Sequence, residues 1–282
     1  MKIKRRVFLG VFIIVLLGWQ YWCYEDAYPL VEACQKDDYE RVAELLEEKG
    51  GRNINRASGS PILLAWAPEL WPMTPLVASC RIGNEDIIKL LLEKGAKPWI
   101  GCGWGYPLSL LLDGYYPDID GLVRELVNNG ASVDTKNVNG ETALLQVAGG
   151  TAVHNTVEEE KIITSTYIFF LNRAKIKNPH SSFSGENSFL KAARANNVTL
   201  TKYILDEGYS DINYKDKEGR TALFDLYVEE ANNPDDPAVR MTKYLLERGI
   251  DTNIRDNEGM TALEYSRKEG YTEVVKVLES AE

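Results

Sequence analysis

Apolar residues recur along most of the chain at the three- and four-residue spacing of one helix face, in short runs rather than long ones. The clearest example is Gly249–Leu278, which reads GIDTNIRDNEGMTALEYSRKEGYTEVVKVL. A short polar loop leads into Thr261, where a helix begins, and Gly270 ends that helix. A second amphipathic stretch follows. The pattern predicts two short helices joined by a tight turn.

The same phrase of loop, turn and helix start occurs earlier in the chain. It stands at Gly208–Leu223 (GYSDINYKDKEGRTAL) and at Gly130–Leu144 (GASVDTKNVNGETAL). Self-similarity at a regular spacing is the signature of a repeat protein, in which each unit packs only on its neighbours.

These blocks resemble the ankyrin repeat family, whose unit is a β-turn and two antiparallel helices over about 33 residues. The matching segments are Gly140–Leu144, Gly219–Leu223, Gly259–Leu263, Thr74–Leu76 and Leu90–Ala96. The chain departs from the family in lacking its histidine after the leucine. The residues that stand there instead are Val77, Leu145, Phe224 and Glu264. Glu264 with Thr261 is predicted to form a capping box, in which each side chain satisfies a backbone amide at the helix start.

The resemblance implies an all-α fold, an ankyrin-repeat solenoid of about seven helix-turn-helix units with hairpin loops. One N-terminal transmembrane or signal helix is expected at residues 1–27, before a repeat domain at residues 28–282. The units are predicted near residues 28–50, 73–95, 105–130, 140–174, 186–208, 219–249 and 259–279. The pattern is interrupted after Gly50, after Gly95 and by insertions at 113–120, 149–160 and 229–237.

Residues 1–27 differ in kind from the repeats. Basic residues up to Arg6 precede an apolar run from Val7 to Tyr24, which is long enough to cross a bilayer. Basic residues before the run and aromatic residues at its far end match the positive-inside rule and the interfacial belt. We expect an uncleaved signal anchor in the inner membrane, with a cleaved signal peptide as the alternative. Either way, the repeats are expected on the periplasmic (non-cytoplasmic) side, as a single-pass membrane protein or a soluble periplasmic one.

The net charge of −10 and the pI of about 5.0 disfavour a nucleic-acid partner, because phosphate binding needs a basic stripe. The same charge favours a basic partner through electrostatic steering, although it also fits ordinary solubility.

Candidate chemistry is sparse. The two histidines, His154 and His180, fall in loops away from any nucleophile, and neither a phosphate-binding nor a metal-binding motif occurs. We expect no enzyme activity, cofactor or metal. The carboxylates at 158–160 precede a predicted helix. Their interaction with the positive end of its dipole is a better explanation for them than a metal site. Cys34 and Cys80 occupy equivalent positions and are expected to be core thiols. Cys102, in a loop, is the cysteine to test for reactivity.

The loops and insertions are the predicted partner-binding regions, since the regular repeats are what any such solenoid needs. The candidate contact residues are Trp66, Trp71, Trp99, Trp104, Tyr115, Tyr116, Glu229, Glu230, Asp235 and Asp236. Tryptophan is enriched at interfaces, but Trp66 and Trp71 fit equally a cap over the first repeat.

The resemblance implies a protein-binding module. The sharper hypothesis is an immunity protein that neutralises a secreted antibacterial effector, here a basic toxin enzyme. The alternative is an envelope scaffold or stress-protection adaptor without a toxin partner.

Overall fold

A computed structural model describes residues 28–48, 50–58, 73–103, 105–114, 119–150 and 156–281. The chain divides into two compact units, Met1–Ser132 and Val133–Glu282. Among the helices in these ranges, none is both long and apolar enough to span a membrane. The predicted anchor lies outside the described residues.

The first unit is a stack of short helix pairs. Its helices are α1 (residues 28–35), α2 (Tyr39–Glu48), α3 (Pro75–Ile82), α4 (Glu85–Glu93), α5 (Pro107–Leu112) and α6 (Ile119–Asn128). Within pairs, α3 packs on α4 and α5 on α6. Between pairs, α3 packs on α5, and α4 packs on both α2 and α6.

Local sequence explains where these helices begin and what they bury. The Thr74 hydroxyl accepts a hydrogen bond from the Val77 amide (3.3 Å) at the start of α3. Ile87 and Leu91 lie on one face of α4 with no exposed surface. Full burial of such a side chain stabilises the fold by about 1.5–3 kcal/mol.

The second unit repeats this arrangement. Its helices are α7 (Ala143–Gly149), α8 (Val157–Leu171), α9 (Ser188–Arg194), α10 (Val198–Asp206), α11 (Pro237–Glu247), α12 (Ala262–Glu269) and α13 (Thr272–Glu279). Helix α7 packs on α8 and α9, α10 packs on α8 and α9, and α13 packs on α11 and α12. The predicted capping box at α12 is confirmed, because Glu264 accepts from the Thr261 amide (2.8 Å) and Thr261 from the Glu264 amide (3.3 Å).

Four hairpins project from the second unit, and we number them in chain order as 136–142, 180–187, 216–220 and 255–261. The third and fourth are each closed by one aspartate. Asp216 accepts from the amides of residues 218 and 220, and Asp256 from those of 258 and 260. Each of these two hairpins also donates a backbone amide to the hairpin before it, from Lys217 to Ser184 (2.9 Å) and from Asn257 to Glu218 (2.9 Å).

The sixth predicted repeat differs from the expectation, because its first helix is absent. Residues 222–225 form turns instead, and Asp225 has the left-handed φ of 53°. The Tyr227 amide donates to the carbonyl of Arg194 (3.0 Å) rather than to a carbonyl one helical turn earlier. The segment Phe224–Val228 has weak helix propensity, because all of its residues except Leu226 are aromatic, β-branched or aspartate. Other contacts therefore prevail.

Candidate protein-binding surface

The predicted contact residues are only partly within the described structure. Trp66, Trp71, Trp104, Tyr115 and Tyr116 lie outside the described residues.

Trp99, in the first unit, is described. Its side chain is 54% exposed, and the Lys97 ammonium lies 5.9 Å from the ring centroid. The ring lies against Gly130, where an added Cβ would come within 3.2 Å of it. Trp99 is therefore an accessible indole supported on one side by backbone.

The insertion between the predicted helices of the sixth repeat forms an acidic loop, residues 229–236. Asp236 is 1% exposed and organises it. One carboxylate oxygen accepts from the amides of Glu229 (3.0 Å) and Glu230 (2.8 Å), and the other accepts from the Ala238 amide (2.9 Å) at the start of α11. Glu229, Glu230 and Asp235 remain exposed. Asp236 supports the loop from inside rather than contributing to its outer surface, and the contact of this loop with a partner stays a prediction.

We expect Asp236→Asn to lower the free energy of unfolding by about 1–2 kcal/mol, because the side-chain NH2 group of asparagine would then face either the two loop N–H donors or the Ala238 N–H donor. Urea unfolding followed by circular dichroism measures this change. The matched control is the exposed neighbour, Asp235→Asn, with an expected change within about 0.5 kcal/mol. Equal midpoints for the two variants would contradict the supporting role, as would unchanged hydrogen exchange at all three of the Glu229, Glu230 and Ala238 amides.

A charged cluster lies beside the acidic loop, where the missing helix would have been. Arg194, at the end of α9, is 13% exposed in its side chain. It pairs with Glu186 (2.6 Å) and with Asp216 (2.9 Å), whose side chain is 3% exposed. The backbone of Arg194 also accepts from Tyr227. The side chain of Arg194 thus joins the second hairpin to the third.

The other half of the cluster centres on Asp225. Its carboxylate accepts from Arg220 (2.8 Å) and from the Tyr265 hydroxyl of α12. Burial, and then this hydrogen bond, raise the pKa of Tyr265, so the hydroxyl stays a donor. The Nε of Arg220 lies 3.8 Å from the Asp256 carboxylate, and neither atom has a hydrogen-bond partner.

Carboxylates outnumber guanidinium groups in this cluster. The ion pairs join Arg194 and Arg220 to Glu186, Asp216, Glu218, Asp225 and Asp256. We call the three exposed carboxylates of the adjoining loop, Glu229, Glu230 and Asp235, the negative surface. The excess of carboxylates in the cluster, where the side chains of Asp216 and Asp256 are buried, adds negative charge beneath it. Such a surface attracts a basic protein segment.

The titration of Glu186 gives a test of the cluster. Burial raises the pKa of its carboxyl, but the Ser184 hydroxyl and the Arg194 guanidinium outweigh burial and lower the pKa below the ordinary value of 4.5.

A carboxyl with a lowered folded-state pKa stabilises the fold fully above its unfolded pKa, and this contribution is lost as pH falls through the folded pKa. We therefore expect wild type to lose more stability than Glu186→Gln as pH decreases below 4.5. The urea unfolding midpoints of both proteins, measured from neutral pH to below pH 4.5, give this loss. The same decrease of the midpoint with pH in wild type and in Glu186→Gln would contradict the prediction.

Sequence reasoning missed this cluster. Arg194 reads as a basic residue at a helix end, which the helix dipole alone explains. Arg220 reads as an ordinary hairpin residue, and Asp225 falls inside a predicted helix. The only available signal was the weak helix propensity after Leu223.

The described residues offer little other chemistry. Across the ranges that the structure covers, no group of three or more His, Cys, Asp or Glu side chains is placed to hold a metal ion. His180 is exposed in the second hairpin, and His154 is outside the described ranges. Cys34 and Cys80 are buried free thiols, as predicted. Burial raises the pKa of Cys34 to about 11 and also raises that of Cys80, so both stay protonated.

Two family models match parts of the chain. Residues 73–101 match the ankyrin repeat, and residues 189–281 match ankyrin repeats in three copies. A solved relative in fold is the ankyrin repeat domain of Bcl-3, a member of the IkappaB protein family, with a TM-score of 0.54 and 18% identity. That match covers 88% of this chain and 97% of the Bcl-3 domain, and at this identity it shows the fold alone.

Curated relatives are larger proteins. Glycerophosphocholine phosphodiesterase GDE1 of Candida albicans is 24% identical over 226 residues, which are 80% of this chain and 16% of that protein. Ankyrin repeat domain-containing protein 63 of Homo sapiens is 35% identical over 98 residues, which are 34% of this chain and 24% of that protein. The chain thus spans a quarter or less of the length of these relatives, and the phosphodiesterase activity is that of the Candida protein.

Proposed function

Because this chain is an ankyrin-repeat protein, we propose that it binds a basic protein partner through the negative surface of its second unit. Ankyrin repeats imply protein–protein interaction, and the fold is typically a non-catalytic scaffold. The acidic loop is the observation from which we infer that the partner is basic. The buried Asp236 holds this loop in one conformation, and Glu229, Glu230 and Asp235 are exposed on it. A loop that is already ordered loses less conformational entropy on binding.

A charge-reversal variant tests this proposal. The variant carries Glu229→Lys, Glu230→Lys and Asp235→Lys. The matched control reverses three other exposed carboxylates of the same unit at helix ends, where lysine is tolerated: Glu207→Lys, Glu247→Lys and Glu269→Lys. Both change the net charge equally.

Wild type, variant and control are immobilised, and the proteins that each retains from extracts of the source cells are identified by mass spectrometry. The expected partner has a basic surface, binds wild type and control, and is lost from the loop variant. Its affinity, measured with purified protein, should fall as salt rises. A partner that binds the loop variant as tightly as the control would overturn the proposal.

The finer proposal is a membrane-tethered, exported immunity protein whose partner is a basic toxin enzyme acting on a sibling cell. The basic residues and apolar run of 2–24, the negative charge and the irregular loops support it. Deleting the gene should then sensitise cells to a sibling's effector in a competition assay. Unchanged survival would exclude the immunity role.

The location of the repeats has a separate test. Alkaline phosphatase fused after Leu278 should be active if the repeats lie outside the cytoplasm, since that enzyme needs export. An inactive but stable fusion would place them in the cytoplasm.

A further inference from the structure

The tips of the first two hairpins carry an apolar pair that the negative surface does not use. Phe183, in the second hairpin, is 84% exposed, and Val138, in the first, is 65% exposed. The two tips are adjacent, because a Cβ at Gly140 would collide with the Ser182 hydroxyl. We call Lys136, Val138, Phe183 and Lys217 the tip surface.

Phe183 is held on a rigid hairpin. The buried Ser181 hydroxyl accepts from the amides of Phe183 (3.2 Å) and Ser184 (3.3 Å). The Tyr214 hydroxyl donates to the carbonyl of Gly185 (2.8 Å) from the neighbouring repeat. Gly185 has a φ of 78°, and a Cβ there would lie 2.9 Å from the Lys217 side chain, so the tip also packs tightly on the third hairpin. An exposed ring on an ordered support is an anchor that binds with little ordering cost.

Around the Phe183 ring, the carboxylates are paired inside the fold and the lysines are exposed. The carboxylates at the base of these hairpins turn inward, since Glu141 pairs with Lys191 and Glu186 with Arg194 at side-chain exposures of 14% and 18%. Lysines remain outside. Lys136 is exposed two residues before Val138, and the Lys217 ammonium donates to the Ser182 carbonyl (2.6 Å) beside Phe183. Glu218, also exposed, is paired with Arg220 (3.3 Å).

We propose that the tip surface binds an acidic protein segment that presents one apolar side chain between carboxylates. The apolar side chain packs on Phe183 and Val138, and the flanking carboxylates pair with Lys136 and Lys217. This surface is distinct from the acidic loop and takes a partner of opposite charge, so the inference goes beyond the proposed function and does not rest on it. Two apolar side chains are too little to hold a lipid surface, whereas one ordered ring suffices as an anchor for a peptide.

The probe is a fluorescent peptide with a central leucine flanked by aspartates and glutamates, titrated with the full chain and followed by anisotropy. Phe183→Ala is expected to weaken binding about tenfold, the effect of losing an interface anchor. Ile176→Ala, which removes another exposed apolar side chain of the same unit, is the matched control and should bind as wild type does. Unchanged thermal unfolding of both variants verifies that the fold is intact.

Charge is tested with the same probe. Lys136→Glu combined with Lys217→Glu should abolish binding, and a peptide with lysines in place of its acidic residues should not bind wild type. Equal affinity of Phe183→Ala and wild type, or no binding of the acidic peptide, would overturn the proposal. Sedimentation with vesicles of phosphatidylserine and phosphatidylcholine in equal parts tests whether the tip surface binds a lipid membrane instead. Phe183-dependent binding to vesicles but not to the peptide would also overturn it.

Discussion

Replacing Arg194 with alanine is expected to lower the free energy of unfolding by about 3–5 kcal/mol, the range for removing one partner of a buried ion pair. The guanidinium is the shared partner of Glu186 and Asp216, and the side chain of Asp216 is 3% exposed. Alanine would leave the buried Asp216 and the half-buried Glu186 without their shared guanidinium. Arg194→Lys should recover only part of the loss, because an ammonium cannot present a planar fork to two carboxylates.

The measurement is urea unfolding at neutral pH, with Arg248→Ala as the matched control. Arg248 also forms an ion pair, with Asp206 at 2.7 Å, but both side chains are substantially exposed. Exposed pairs contribute little to stability, so the unfolding midpoint of the control should change little. A loss of similar size in the two variants would show that burial of the cluster has no energetic role.

The second large effect is expected at Glu160, whose side chain is 3% exposed. One carboxylate oxygen accepts from the Thr199 amide (3.0 Å) and hydroxyl (2.6 Å) in the first turn of α10, and the other pairs with Arg240 of α11 (2.5 Å). Glu160→Gln places an amide group against one of these sets of donors. We expect a loss of about 2–3 kcal/mol, which corresponds to hydrogen bonds made to a buried charge.

Glu158→Gln, two residues earlier, is the control, since that side chain is 76% exposed and pairs with the exposed Lys161. Its unfolding midpoint should match wild type. If Glu160→Gln also matched wild type, the link between α8, α10 and α11 through this carboxylate would carry no stability. The carboxylates at 158–160 are predicted to interact with the dipole of the helix that they begin. Glu160 lies in the first turn of α8, and its carboxylate also contacts the first turn of α10.

Sequence reasoning located what depends on local chemistry. Gly140–Leu144 and Gly259–Leu263 do begin helices, and the Thr261–Glu264 capping box is present. Each of these features needs only residues within one turn of each other, so a short pattern is enough to predict it.

The charged cluster could not be predicted in the same way. Gly219–Leu223 has the same pattern as the other blocks, yet no helix follows, since Asp225 is held by Arg220 and by Tyr265, forty residues away. Glu160 is likewise predicted only at a helix end, because its partners Thr199 and Arg240 lie on other segments. Asp236 is predicted at the surface, because its partners are backbone amides of an irregular loop and of the next helix start, which no side-chain pattern marks. Long-range partners of buried charges leave no periodic trace in the sequence.

The missing helix changes how unfolding should spread through the second unit. In a stack of repeats, cooperativity depends on the interfaces between neighbours. At the sixth repeat, Leu223, Phe224 and Leu226 remain buried, but ion pairs and hydrogen bonds replace the backbone bonds of one helix. Charged contacts respond to salt and pH in a way that apolar ones do not. Residues 237–281 should therefore open as a separate cooperative segment in acid, with faster hydrogen exchange than α9 and α10.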